Sequence, residues 1–112
     1  MNRKEMNEVY NLKKEIQSIE RVMRTLPPSD ELNKMCEKYD RTCRAYMRTV
    51  ERCEEQIQKL PNSKLRCAFR MRYIEGLTWQ EIADEMGEKA TVDSVKKLVY
   101  RQFSFYEKGN KQ

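Results

Sequence analysis

Six side chains in the last quarter of the sequence have the types and spacing to do chemistry together: Asp93, Ser94, Lys96, Lys97, Tyr100 and Arg101. With Val95 set at zero and about 100° per residue, they fall on one side of a helix. Val92, Leu98, Val99, Gln102 and Phe103 fall on the other, within about 80° of Val95. The polar side combines cations, hydrogen-bonding tips and one aromatic ring. A duplex major groove is wide enough to admit a helix with such a face. Lys97 and Arg101 are the candidates for reading base edges, with Ser94 beside them. Lys89, Thr91 and Lys96 are placed to touch phosphate, which positions a reader without specifying sequence. Tyr100 can stack on a sugar or donate to phosphate, or pack against its own helix. Asp93 repels phosphate, yet its carboxylate could accept from a cytosine amino group. The competing reading of the same face is a solvated basic surface on a three-helix protein-interaction module.

Other chemistries find little support. The chain has no histidine, so no Ser-His or Cys-His pair can form. The three glycines, Gly76, Gly87 and Gly109, are isolated, which leaves no phosphate-cradling loop. The four cysteines, Cys36, Cys43, Cys53 and Cys67, include no CxxC pair. They read as reduced thiols serving as small apolar residues, with no metal site. The carboxylates read as helix caps or solvated faces. No catalytic residue and no cofactor is expected. Residues 1–10 lack the apolar core of an export signal, and no stretch is apolar enough to span a bilayer. The expected location is the cytoplasm, which suits free thiols.

The elements that must position the polar face follow from the breakers. The chain has 112 residues, 37% of them charged, and only three prolines besides its three glycines. Few breakers leave long segments, which points to an all-α protein. Up to Leu26, apolar residues recur at Val9, Leu12, Ile16, Ile19, Met23 and Leu26, in alternating steps of three and four. Pro27 and Pro28 interrupt, and Ser29 or Asp30 can cap the next helix. That helix carries Leu32, Cys36, Tyr39, Cys43, Tyr46, Val50, Cys53, Ile57 and Leu60 with the same alternation. A short Pro-containing link between two such helices predicts an antiparallel coiled-coil hairpin over residues 1–61. Its seam is narrow. A self-contained hairpin and a homodimer formed through it are both consistent with that pattern.

After Pro61, Asn62 or Ser63 can cap a helix that places Leu65, Phe69 and Tyr73 on one face, with Ala68 beside them and Gly76 as the stop. Thr78 and Glu81 have capping-box spacing, and Leu77 and Ile82 have that of a hydrophobic staple. The short helix so started directs Ile82, Ala83 and Met86 inward and ends at Gly87. Residues 87–90 are a turn of helix-turn-helix length, and Thr91 caps the following helix. The net charge is +5, and residues 89–111 hold six basic and two acidic side chains, so the excess lies on this last element. Helix, capped short helix, tight turn and longer basic helix is the layout of a DNA-binding helix-turn-helix. Residues 62–107 form this expected unit, and 108–112 a polar tail.

The run Arg72-Tyr73-Ile74-Glu75-Gly76-Leu77-Thr78-Trp79-Gln80-Glu81-Ile82-Ala83 resembles the sigma-70 region 4-like helix-turn-helix. It is most similar to the version in small phage and prophage transcription regulators of the RinA/ArpU type, many of which also have a charged coiled-coil N-terminal region. The resemblance covers roughly residues 64–105, and it implies binding to double-stranded DNA and transcriptional control. It also raises contact with RNA polymerase. By position, residues 78–86 would be the supporting helix and 91 to about 105 the recognition helix in the major groove, with Trp79, Ile82, Ala83, Val95 and Leu98 in the core. The stretch from Gly87 to Val95 is longer than the usual sigma spacing. Two alternatives from other classes stand beside this one: a coiled-coil adaptor or assembly protein that binds a protein partner, and the small DNA-recognition subunit of a phage packaging terminase.

Overall fold

The computed structural model describes the backbone of residues 3–110 and the side chains of residues 3–104. The described residues are all-helical. Two long helices, α1 (Arg3–Thr25) and α2 (Asp30–Gln58), precede α3 (Ser63–Phe69), a π turn (Arg70–Ile74), α4 (Trp79–Met86) and α5 (Val92–Asn110). No helix among the described residues is long and apolar enough to cross a membrane. The backbone of α5 continues helically past the expected end near residue 105, to Asn110. Of the expected polar tail, residues 111 and 112 lie outside the described residues, as do the side chains of 105–110.

The two long helices form an antiparallel hairpin, packed against each other more extensively than any other pair. Ser29 starts α2, its hydroxyl accepting from the Leu32 amide at 3.2 Å. Asp30 and Glu31 lie in the first turn, where carboxylates favour the positive end of the helix. The face that α2 turns to α1 is rotated from the expected seam. Tyr39, Tyr46 and Cys53 belong to both, but Thr42 and Thr49 are buried while Cys43 and Val50 are half-buried. Cys36 is exposed, and so is Cys67 of α3, so these two cysteines do not serve as packing residues. The threonines can be enclosed because each hydroxyl donates within its own helix: Thr42 to the Lys38 carbonyl at 2.8 Å and Thr49 to that of Ala45 at 2.9 Å. With the polar atom satisfied, a threonine packs as a small branched apolar group.

One buried cluster runs across Pro61. It joins Met6 and Val9 of α1 to Cys53 and Ile57 of α2, then to Leu65, Ala68, Phe69 and Tyr73, and to Val99 and Phe103 of α5. Phe69, Tyr73 and Phe103 form an aromatic triad with ring centroids 5.2–5.8 Å apart, the tilted and edge-on contacts that aromatic quadrupoles favour. A second, smaller cluster of Ile82, Ala83 and Val95 holds α4 against α5, with Leu77, Trp79 and Met86 packed on it. Arg66 donates to the Leu60 carbonyl at 2.8 Å, which fastens the α2–α3 corner.

Candidate nucleic-acid interface

The helix-turn-helix starts where the sequence predicts. Thr78 Oγ1 accepts from the Glu81 amide at 3.1 Å, and the Glu81 carboxylate accepts from the Thr78 amide at 3.1 Å. Leu77 packs on the cluster that contains Ile82, completing the staple. Ahead of it, Asn62 caps α3 through the Leu65 amide at 2.8 Å. The end of that element departs from a regular α-helix. The Glu75 amide bonds five residues back, to the Arg70 carbonyl at 2.9 Å, making a π turn. Gly76, at φ +76°, then reverses the chain in the left-handed region.

A reciprocal cap starts α5. The Ser94 amide donates to Thr91 Oγ1 at 3.1 Å and the Thr91 amide to Ser94 Oγ at 2.9 Å. The Ser94 hydroxyl in turn donates to the Thr91 carbonyl at 2.9 Å. Thr91 and Ser94 therefore hold the helix start, and the Ser94 hydroxyl proton is engaged within the protein. Val95, Val99 and Phe103 are buried while Asp93, Lys97 and Arg101 are exposed, so the division of the helix into faces holds, with Tyr100 at its margin. Lys97 and Arg101 make no ion pair or hydrogen bond among the described residues. Lys96 is half-buried beside them. Lys89 lines a small groove of about 250 Å³ with Ser94, Leu98 and Lys64. Lys64, in the first turn of α3, is a cation that the sequence reading did not single out.

Tyr100 is not part of the open outward surface. Its ring meets that of Trp79 edge-on at 5.7 Å, and the Arg3 guanidinium lies 4.5 Å above it. Trp79 is half-buried, with the Arg72 guanidinium 4.3 Å over its ring. The three arginines before the turn have separate partners. Arg66 bonds the Leu60 carbonyl, Arg70 pairs with Glu54 at 3.0 Å, and Arg72 donates to the Leu77 carbonyl at 3.1 Å. Of the three, Arg70 has its charge matched by a carboxylate. Burial pushes the Tyr73 phenol beneath this group up to about 12, against the pull of the nearby Arg3 and Arg72 charges.

Among the described residues no three His, Cys, Asp or Glu side chains gather as a metal site. The exposed Cys67 lines an open depression of about 560 Å³ between α3 and α4, with Met71, Glu85 and Met86. Its walls are mostly apolar, with Lys64, Arg70 and Glu75 also lining it.

Residues 51–101 match the family described as sigma-70, region 4. No curated protein and no solved structure matches the chain. Over these residues the chain is similar to sigma-70 region 4, a family of DNA-binding helix-turn-helix domains. The match begins inside α2, two residues before Cys53, the first α2 side chain of the buried cluster shared with α3 and α5.

Proposed function

We propose that this chain is a sequence-specific transcription regulator of phage or prophage type, which reads duplex DNA by laying α5 in the major groove. The observation that carries this reading is the outward side of α5. Lys97 and Arg101 stand there, one helical turn apart, without an ionic partner among the described residues, on a helix fixed from behind by α4 and its capping box. Arg and Lys are the side chains suited to guanine edges, and a locked helix presents them without further ordering. Lys89, Lys96 and the amides near Thr91 serve the phosphates on either side. Residues 62–107 act as the reader and residues 1–61 as a coiled-coil arm that joins two copies. Joining matters because a single recognition helix makes few base contacts, whereas two joined copies read spaced half-sites. The sigma-like segment also brings RNA polymerase within the range of partners, as expected of a cytoplasmic regulator.

The test is selection of bound sequences from a random duplex pool at physiological salt, followed by the Lys97→Ala/Arg101→Ala double variant. Enrichment of a motif with two spaced half-sites is expected, along with loss of that preference in a variant that still folds. Retained preference in the folded double variant would overturn the assignment of these residues. A second reading, a coiled-coil adaptor, is favoured by one feature: the hairpin tip has a shallow apolar groove lined by Met23, Leu32, Cys36 and Tyr39. If the pool yields no motif and binding vanishes as salt rises, that reading replaces the regulator.

A further inference from the structure

Arg3 and Tyr100 lie near opposite ends of the sequence, yet they meet. The Arg3 guanidinium, the Tyr100 ring, the Trp79 ring and the Arg72 guanidinium form a row in that order, with spacings of 4.5, 5.7 and 4.3 Å. The row connects the first turn of α1, the middle of α5, the first residue of α4 and the π turn. Tyr100 is 36% exposed, on the flank of α5 next to the outward side that carries Lys97 and Arg101.

Two properties make this row a binding surface rather than a packing detail. First, its charge is unmatched among the described residues. Neither guanidinium pairs with a carboxylate there; Arg72 gives one N–H to the Leu77 carbonyl, and Arg3 gives none to a described residue. Two cations on one patch create a positive potential that attracts anionic groups such as phosphates. Second, the rings fix each guanidinium by cation–π contact while leaving N–H donors free, the state in which arginine recognises phosphate oxygens. The row also lies at the start of α4. In a helix-turn-helix this helix crosses the DNA backbone, and its positive end faces that way.

We propose that Arg3 and Arg72, seated on Tyr100 and Trp79, grip the sugar–phosphate backbone of duplex DNA beside the recognition helix. The first turn of α1 is then part of the DNA interface although it lies outside the sigma-like segment. The proposal rests on the DNA-binding reading and adds an element to it. It also links the hairpin to the reader, because any shift of α1 moves a phosphate contact.

The experiment measures binding of the full chain to a fixed duplex by fluorescence anisotropy across a salt series. The selected sequence and a scrambled one are both used. Arg3→Ala is expected to lower the slope of log affinity against log salt by about one and to weaken both duplexes by the same factor. Tyr100→Leu, which removes the seat, is expected to do the same, and Tyr100→Phe, which keeps the ring, to match the parent. Lys34→Ala, at the opposite end of the hairpin, controls for diffuse charge and should leave the slope unchanged. A parental slope in Arg3→Ala, or an equal fall in Lys34→Ala, would overturn the proposal. So would a loss in Arg3→Ala that follows a lowered melting temperature with the slope intact. Failure of the parent chain to bind either duplex at low salt would instead overturn the DNA-binding reading itself.

Discussion

The two ends of the helical hairpin share one heptad spacing and differ in what covers it. At the base, Met6 and Val9 of α1, Cys53 and Ile57 of α2, and Leu60 just past the end of α2 are buried in the cluster that also holds Phe69 and Phe103. At the tip, Ile19 is buried among half-exposed neighbours, and Leu32, Met35 and Tyr39 stay half-buried. Polar groups intrude there: the Tyr39 hydroxyl donates to Glu20 at 3.1 Å, and Thr42 takes a seam position. A two-helix pair has only one covered side, whereas the base gains a second from α3, the π turn and α5. The contrast shows that a heptad pattern identifies the apolar face of a helix without saying how many elements will cover it.

The strongest way to break this contrast is to truncate one side chain at each end. Met6→Ala removes a fully buried side chain from the shared cluster and should cost roughly 2–5 kcal/mol, as large-to-small core changes do. Because the cluster includes Val99 and Phe103, the loss should appear in the helix-turn-helix as well, as a lowered midpoint of one cooperative denaturant transition. Met23→Ala at the half-exposed tip should cost about 1 kcal/mol, in line with the smaller area it covers. Equal losses at the two ends, or a Met6 variant with a separate unchanged transition for the helix-turn-helix, would remove the distinction.

Alkaline pH should act on the base through two buried groups, and at the tip on the Tyr39 phenol, whose pKa its hydrogen bond to Glu20 raises. Burial pushes the Cys53 thiol from its ordinary 9.0 up to about 11, and the Tyr73 phenol from 10.0 up to about 12. Each group ionises more readily in the unfolded chain than in the folded one. The stability these groups contribute is complete below pH 9 and falls as pH rises through 9 to 11 for Cys53 and 10 to 12 for Tyr73. The Cys53 part is on the order of 2 kcal/mol. Melting curves from pH 8 to 11 should show the loss, and Cys53→Ala should flatten it below pH 10. An unchanged pH profile in that variant would mean the thiol is not the titrating group.

The elements were legible in the sequence because their signals are local. The capping box at Thr78 and Glu81, the Asn62 cap and the glycine stops each depend on a few adjacent residues, and each appears in the structure. The division of α5 into buried Val95, Val99 and Phe103 and an exposed cationic side followed from periodicity. What could not be read depends on contacts between distant segments. Arg3 meets Tyr100 across nearly the whole chain, and no local pattern reports that. The rotation of α2 toward Thr42 and Thr49 escaped because hydropathy treats threonine as polar, whereas an internal hydrogen bond lets its methyl group pack. Met6 carried a usable signal: it lies three residues before Val9 and extends the same face of α1.

The smallest effect concerns the ion pairs that accompany the base. Arg70 holds Glu54 through Nε at 3.0 Å and Nη2 at 3.1 Å, which ties the π turn to α2. Arg52 holds Glu5 at 2.6 Å and lowers the pKa of its carboxyl, tying α2 to α1. Both pairs are partly open to water, where solvent screening reduces an ion pair to roughly 0.2–1 kcal/mol. A double-mutant cycle of Glu54→Gln and Arg70→Met should therefore return a coupling of about 0.5 kcal/mol that shrinks with added salt. Their role is orientation: each fixes an angle between elements already held together by apolar burial. A coupling several times larger, insensitive to salt, would mean that the base depends on charge as much as on its buried cluster, and the contrast with the tip would then be electrostatic rather than hydrophobic.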